Sequence, residues 1–483
     1  MSVETTTPPP RLRGRTGGIM VLLVPLMLVL FISNLDQTIV ATALPSIGHD
    51  LHDTANAPWI VTGYLLTSAI TTLIFGKLGD MYGRKKIFQF SIAVFLIGSL
   101  LSGLADGMGL LIAFRALQGI GAGGLNSLVQ AIMGDLVPAR QRSKYQAVTG
   151  MVATLALIAG PLLGGAFSDG LNWRYIFYIN LPIGVTALVA VAAKLHLPRP
   201  ATTAGPIDYA GGLIAAVFTG AVLLFTTWGG NEHPWTSKVI LGLIALSIVT
   251  LITYLLIERR AAHPITPLHL FRSSVFNLAL IQFFLATLVL FVAMLYVPAF
   301  LQTVQHRTAF TAGLFVIPLL AGLVAAALIS GPVITHTGRY KIYPIIGSLV
   351  TGTGMWLISR STAGTGALTL IAELFLAGIG IGFFVQVSLL AGQNAAEHRD
   401  LGVATGTLNF FKSIGGALGA ALFGALLTAG LTHGSPVHAF HTVFLWTVPA
   451  MAVALISSLA MKEKPLSEEM LEVAEGKAEV PEY

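Results

Sequence analysis

Apolar residues fill this chain in long blocks, each closed by a short polar or basic interval. The blocks fall at 18–45, 57–76, 87–105, 109–134, 144–168, 173–195, 207–228, 237–257, 274–301, 309–331, 341–360, 367–391, 402–429 and 438–461. Each is long enough, at ~1.5 Å per residue, to cross a hydrocarbon layer of ~30 Å as a helix. The pattern therefore predicts fourteen membrane-spanning helices and no sheet.

One interval occurs twice. GKLGDMYGRKKI, residues 76–87, returns as GPVITHTGRYKI at 331–342, so that Gly76, Gly83, Arg84, Lys86 and Ile87 match Gly331, Gly338, Arg339, Lys341 and Ile342. The echo continues: LQGIGAGG from Leu117 meets LAGIGIGF from Leu376, Thr149-Gly150 meets Thr405-Gly406, and Gly160, Gly164 and Gly165 meet Gly415, Gly419 and Ala420. Six helices match six, and the helices at 207–228 and 237–257 are left as an insert, edged by Pro198, Pro200, Gly205 and Pro206 and by Pro264 and Pro267. Repeats of this kind build many transporters. The expected organisation is a tail at 1–17, a six-helix bundle at 18–200, two inserted helices at 201–265, a second bundle at 266–461 and a tail at 462–483.

Composition agrees with a membrane-embedded, all-α chain: 55% of residues are hydrophobic, 10% are charged, and the mean hydropathy is +0.81. Soluble domains carry about 25% charged residues. There is no cysteine, which excludes disulfides, thiolate metal sites and cysteine nucleophiles. The net charge of +6 comes from placement. With the N-terminus inside, almost every Lys and Arg falls on the cytoplasmic side; Arg174, Lys238, Arg307 and Arg360 fall outside, and Arg115 and Lys412 within helices. That bias sets both termini in the cytoplasm and accounts for the basic charge without nucleic acid. Arg11, Arg13 and Arg15 before an apolar run look like a secretory signal, but the run stays helix-compatible to Leu44, so it is expected to remain as the first helix. The acidic segment from Glu468 to Glu482 reads as a solvated tail.

GKLGDMYGRKK resembles the loop signature of the major facilitator superfamily, and Arg115 to Gly121 (RALQGIG) resembles its fourth-helix arginine motif. Ala159 to Gly165 (AGPLLGG) is similar to its antiporter motif. Leu35 to Pro45 (LDQTIVATALP) and Asn172 to Gly184 (NWRYIFYINLPIG) resemble the fourteen-helix drug:proton antiporter branch. The resemblance implies a major facilitator fold arranged 6+2+6. It implies proton-driven efflux of lipophilic or cationic compounds by alternating access, in the inner (plasma) membrane of a bacterium. The alternative is export or flipping of one endogenous amphiphile, such as a lipid or siderophore. Small molecule, proton and bilayer are the expected partners, and a monomer is expected to suffice.

Asp36 lies ~13 Å below the outer end of the first helix and Arg115 ~9 Å below that of the fourth. Ionisable residues at such depth are costly and face a cavity or a partner. An Asp moving between burial and a cation can load and release a proton; the other reading is a static Asp36–Arg115 pair. Glu373, a deep acid, either serves as a second proton site, binds a cationic substrate or snorkels to outer water. Lys412 would oppose a cation, and either neutralises Glu373 or attracts an anionic group, as an electrostatic neighbour rather than a direct ligand. The resemblance places Asn34, Gln37, Asn126, Gln386 and Asn409 in the cavity, with interhelical hydrogen bonding as their other role. In helix 9, Phe283, Phe284, Phe291 and Tyr296 face flat substrates or, equally, lipid and core.

A conformational switch is expected at Gly76, Asp80, Gly83 and Arg84 with Asp135 and Arg142 of the next basic turn. Thr335 replaces Asp80 in the second copy, so an acid latch belongs to the first half. Gly160, Pro161 and Gly164 predict close, bent helix packing. GIGAGG at 119–124 satisfies a dinucleotide pattern without a preceding strand, and reads as helix packing. No phosphate-binding GxxxxGK[ST] loop, no HExxH and no membrane-embedded nucleophile with its base occur, so no cofactor, metal or enzymatic role is expected.

Overall fold

The computed structural model describes residues 16–463 apart from 55, 138, 171, 196, 198–207, 231, 262–263, 265 and 398–399, and leaves some side chains within the helices undescribed. The described residues form fourteen long helices and no strand. They are α1 (Thr16–Asp50), α2 (Pro58–Tyr82), α3 (Arg84–Gly103), α4 (Met108–Leu136) and α5 (Ala139–Gly170). Then come α6 (Tyr175–Tyr178 continued by Asn180–Lys194), α7 (Tyr209–Trp228), α8 (Lys238–Glu258) and α9 (Ser274–Thr303). The last five are α10 (Ala309–Leu314 continued by Val316–Thr337), α11 (Ile342–Ser359), α12 (Ala367–Ala395), α13 (Leu401–His433) and α14 (Pro436–Leu445 continued by Thr447–Ala460). Thirteen are long and apolar enough, over their described residues, to cross a membrane. The fourteenth is α5, which is 32 residues long.

The three interrupted helices break for one reason. Pro182, Pro318 and Pro449 lack the N–H that would reach back four residues, to Tyr178, Leu314 and Leu445. Those are the residues at which the first segments end. Several helix starts are fixed by side chains instead: Asp208, Ser237, Ser273, Thr308 and Ser435 each accept from the amide three residues on.

Packing repeats with a shift of eight helices. α4 is gripped by α2 and α3, as α12 is by α10 and α11, and α1 lies along α5 as α9 lies along α13. The cause is visible in the repeated glycines. A Cβ on Gly119 or Gly123 would collide with the α2 backbone at Tyr64 and Ser68, and one on Gly378 or Gly382 with α10 at Leu319 and Leu323. GIGAGG is thus a contact surface for a helix. The large apolar clusters each lie wholly within residues 23–197 or within 270–461. Across the seam between these groups, α2 meets α13 and α5 meets α10. α7 packs on both α2 and α13, through Trp228 against Trp59 (ring centroids 5.4 Å apart) and Phe218 against Phe410 (6.2 Å). Fourteen crossings return the chain to the side it left. The start of α1, the end of α14 and the α2–α3 turn therefore share one face, called here the basic-turn face.

Candidate functional site

The two fully buried charges among the described residues, Asp36 and Arg115, stand in one network. Arg115 of α4 donates from Nη1 to Asp36 Oδ2 of α1 (2.6 Å) and to Gln118 Oε1 (2.8 Å), and Gln118 Nε2 donates to Asp36 Oδ1 (2.8 Å). Asn180, at the α6 break, donates from Nδ2 to Asp36 Oδ1 (2.9 Å) and to Ser99 Oγ of α3 (3.0 Å). The guanidinium lies over the Tyr64 ring at 4.2 Å. Asp36, Arg115, Gln118 and Asn180 are all 0% exposed. In so apolar a setting a lone charge would be prohibitive; here both carboxylate oxygens are satisfied. One buried donor, Arg115 Nη2, has no partner. The two residues expected to meet do meet. Gln118 and Asn180 were not singled out, although both stand inside motifs quoted above.

The basic-turn face holds a second network. Arg84 donates from Nη2 to Asp80 Oδ1 (2.7 Å) and from Nη1 to Asp135, so one guanidinium ties the end of α2 to the end of α4. Gly83 turns the chain between α2 and α3 with φ 96°, a conformation that favours glycine. Arg142 donates to the carbonyls of Gly134 (2.5 Å) and Val137 (3.0 Å). The other Asp80 oxygen, Oδ2, crosses the seam and accepts from the Val403 amide at the start of α13 (3.0 Å). A carboxylate there satisfies an orphan amide and meets the positive end of the helix dipole. Gly76 lies so close to α13 that a Cβ would sit 2.7 Å from the Gly402 carbonyl oxygen. In the second copy, Thr335 bonds back to Gly331 of its own helix (2.9 Å). A carboxylate does reach that turn, but from elsewhere: Glu463 accepts from the amides of Tyr340 (2.6 Å) and Lys341 (3.1 Å).

Beside this network the seam carries a polar layer. Gln393 of α12 accepts from Gln146 of α5 (3.3 Å) and donates to Thr405 of α13 (3.0 Å) and the Gln130 carbonyl of α4 (3.5 Å). Further along α4 and α13 the polar side chains are less covered. Asn409 and Asn126 are half-buried, while Lys412 and Ser413 are exposed. Asn34 donates to Leu30 of its own helix (2.7 Å), Gln37 is half-buried, and Gln386 is buried, accepting from Ser330 (2.8 Å). Glu373 is elsewhere, accepting from Ser361 (3.3 Å), whose carbonyl meets His441. The structure does not bring Glu373 and Lys412 into an ion pair. Gly160 and Gly164 pack α5 against Thr38, Ile39 and Thr42 of α1; the side chain of Pro161 is outside the described residues. Of the helix-9 aromatics, Phe283 is buried, Phe291 is exposed beside Gly416, and Tyr296 donates to the Ala420 carbonyl.

Residues 26–420 match the pattern of the Major Facilitator Superfamily. The chain belongs to that superfamily. It is a multi-pass membrane transporter, not an enzyme. This facilitator is 36% identical over 422 residues to the multidrug transporter protein MdtP of Bacillus subtilis, covering 86% of this chain and 76% of that one. It is 33% identical over 408 residues to multidrug resistance protein 3 of the same organism (84% and 79%). An uncharacterised MFS-type transporter of Mycobacterium tuberculosis is 37% identical over 467 residues (89% and 68%). Among solved structures, the facilitator's fold is similar to a proton:xylose symporter, XylE, with a TM-score of 0.64 at 15% identity, covering 95% and 100%. The human organic anion transporter MFSD10 gives 0.64 at 16% identity, covering 91% and 99%.

Proposed function

We propose that this transporter exports small molecules from the cytoplasm by alternating access, in exchange for protons, with the basic-turn face and both termini on the cytoplasmic side of a plasma membrane. The observation that carries the reading is a contrast along one stripe of α13. Gly402 and Gly406 are clamped against α2, whereas Ser413, two to three turns further on, is exposed. One end of the seam is shut while its middle is open, as expected of a carrier whose site faces one side at a time. The similarity to multidrug transporters of Bacillus subtilis supports efflux as the direction. The excess of Lys and Arg at the basic-turn face supports its cytoplasmic orientation.

Asp36 is the proton site in this reading. Its carboxylate is held by Arg115, Gln118 and Asn180. Protonation would remove the charge that holds Arg115 and Asn180 to it, loosening α1, α4 and α6 from one another together. Asp36→Asn keeps the shape and removes the titration. In inverted vesicles under an imposed pH gradient it is expected to abolish uphill accumulation of a transported dye. Undiminished uphill transport by Asp36→Asn would sink the proton assignment.

A further inference from the structure

Lys412 is a cation with no acid beside it, placed where a substrate would sit. It lies on the stripe Thr405, Asn409, Lys412 and Gly416, whose spacing of four, three and four residues defines one face of a helix. The two ends of that stripe touch protein: Thr405 bonds Gln393 of α12, and Gly416 lies against the Phe291 ring of α9. Gln393 in turn bonds Gln146 and Gln130 across the seam, so the face turns toward the seam at one end and toward α9 at the other, and neither end faces lipid. Lys412 is ~16 Å along α13 from Leu401, near the middle of the membrane, yet it is exposed. Exposure at that depth means a cavity.

None of the ion pairs among the described residues includes Lys412. Asp36 is enclosed by its own donors, Asp80 is engaged with Arg84 and Val403, and Glu373 lies with Ser361. The ammonium stands 6.0 Å from the centroid of the buried Phe283 ring, which holds the stem without neutralising the charge. Asn409, one turn nearer the seal, keeps a buried Nδ2 with no acceptor. A positive charge and a spare N–H donor thus converge on one wall, with the exposed Phe291 beside them. Each donor wants an acceptor.

We infer that the cavity takes an amphiphile bearing one anionic group, a carboxylate or sulfonate, which docks on Lys412 and Asn409 while its apolar body lies toward Phe291. This rests on the export reading and sets its substrate class, against the lipophilic cations that the sequence motifs imply. A cation at this place would meet Lys412 at close range, and like charges in a partly desolvated cleft repel strongly.

The test uses two probes that share an aromatic body and differ in charge, pyrenebutyrate and pyrenebutyltrimethylammonium, with the purified full chain in detergent and in liposomes. Wild type is expected to bind the anion more tightly than the cation. Lys412→Gln should weaken anion binding roughly ten- to hundredfold, the range for losing a charged hydrogen bond, and Lys412→Arg should restore most of it. Tighter binding of the cation, binding of neither probe, or unchanged anion affinity in Lys412→Gln overturns the inference. Failure of the export reading is separate: there, wild type in liposomes under an imposed pH gradient would move neither probe uphill, whatever Lys412 binds.

Discussion

Asn180 is the residue that turns an ion pair into a network. Its amide spans Asp36 of α1 and Ser99 of α3, so the break in α6 is what delivers it. Asn180→Ala leaves Asp36 Oδ1 with one donor fewer and is expected to cost ~1–3 kcal/mol, the range for an unsatisfied buried polar group. The check is a lowered melting temperature in detergent, and non-additivity when combined with Asp36→Asn, since the two share a partner. A milder acid sits at the far face. Trp173 donates to Asp50 Oδ2 (2.8 Å), and that bond, ahead of Arg174, holds the Asp50 carboxyl below its ordinary value. A lowered folded-state pKa stabilises fully above the unfolded carboxyl value of ~4 and loses the benefit as pH falls on through the lower folded-state value. Asp50→Asn should therefore lower the melting temperature slightly at pH 7, with the difference from wild type shrinking as the pH falls below ~4. Asp36 and Arg115 were legible because a charge in an apolar run must have a reason to be there. Gln118 and Asn180 were not. A neutral amide is tolerated in a helix for many reasons, and nothing local in the sequence says that residue 180 lies against residue 36.

At the scale of elements, the close approach of α2 and α13 depends on missing side chains. A Cβ on Gly402 would press on the Asp80 carboxylate. Gly402→Val is expected to prise the helices apart at the basic-turn face. Because the chain contains no cysteine, a single cysteine placed at Gly406 reports this directly. Its maleimide labelling should rise several-fold in the Gly402→Val background, and equal labelling would count against the clamp. The existence of the helices was plain from the apolar blocks, since only a regular helix satisfies its own backbone in lipid. Their interruptions were not. Pro182, Pro318 and Pro449 end a segment four residues earlier, yet Pro298 and Pro332 sit inside helices that continue. Which outcome a membrane proline has depends on whether neighbouring groups satisfy the freed carbonyl, and those neighbours come from other helices.

For the whole molecule, the proposed alternating-access cycle makes Asp80 a counterweight between two arrangements of the bundles. Asp80→Asn keeps the volume but gives up the charge that faces both Arg84 and the α13 amide. In that cycle the contact is made in one state alone, so losing about 1–2 kcal/mol from it would shift the ratio of states ~5–30-fold. Spin labels at Tyr82 and Ile342, both exposed on the basic-turn face, should then report a longer distance in the mutant; an unchanged distance distribution would remove Asp80 from the switch. The position of α7 bears on what happens after the switch. A carrier for amphiphiles has a leak that a carrier for sugars does not, because its cargo is as content in lipid as in the site. Cargo that slips sideways between two parted helices returns to the leaflet it came from, and the cycle has spent its driving force for nothing. With Trp228 against Trp59 and Phe218 against Phe410, α7 hangs over the α2–α13 seam like a curtain across a doorway. If the cargo is the amphiphile inferred above, a helix so placed would make the aqueous exit the easier one.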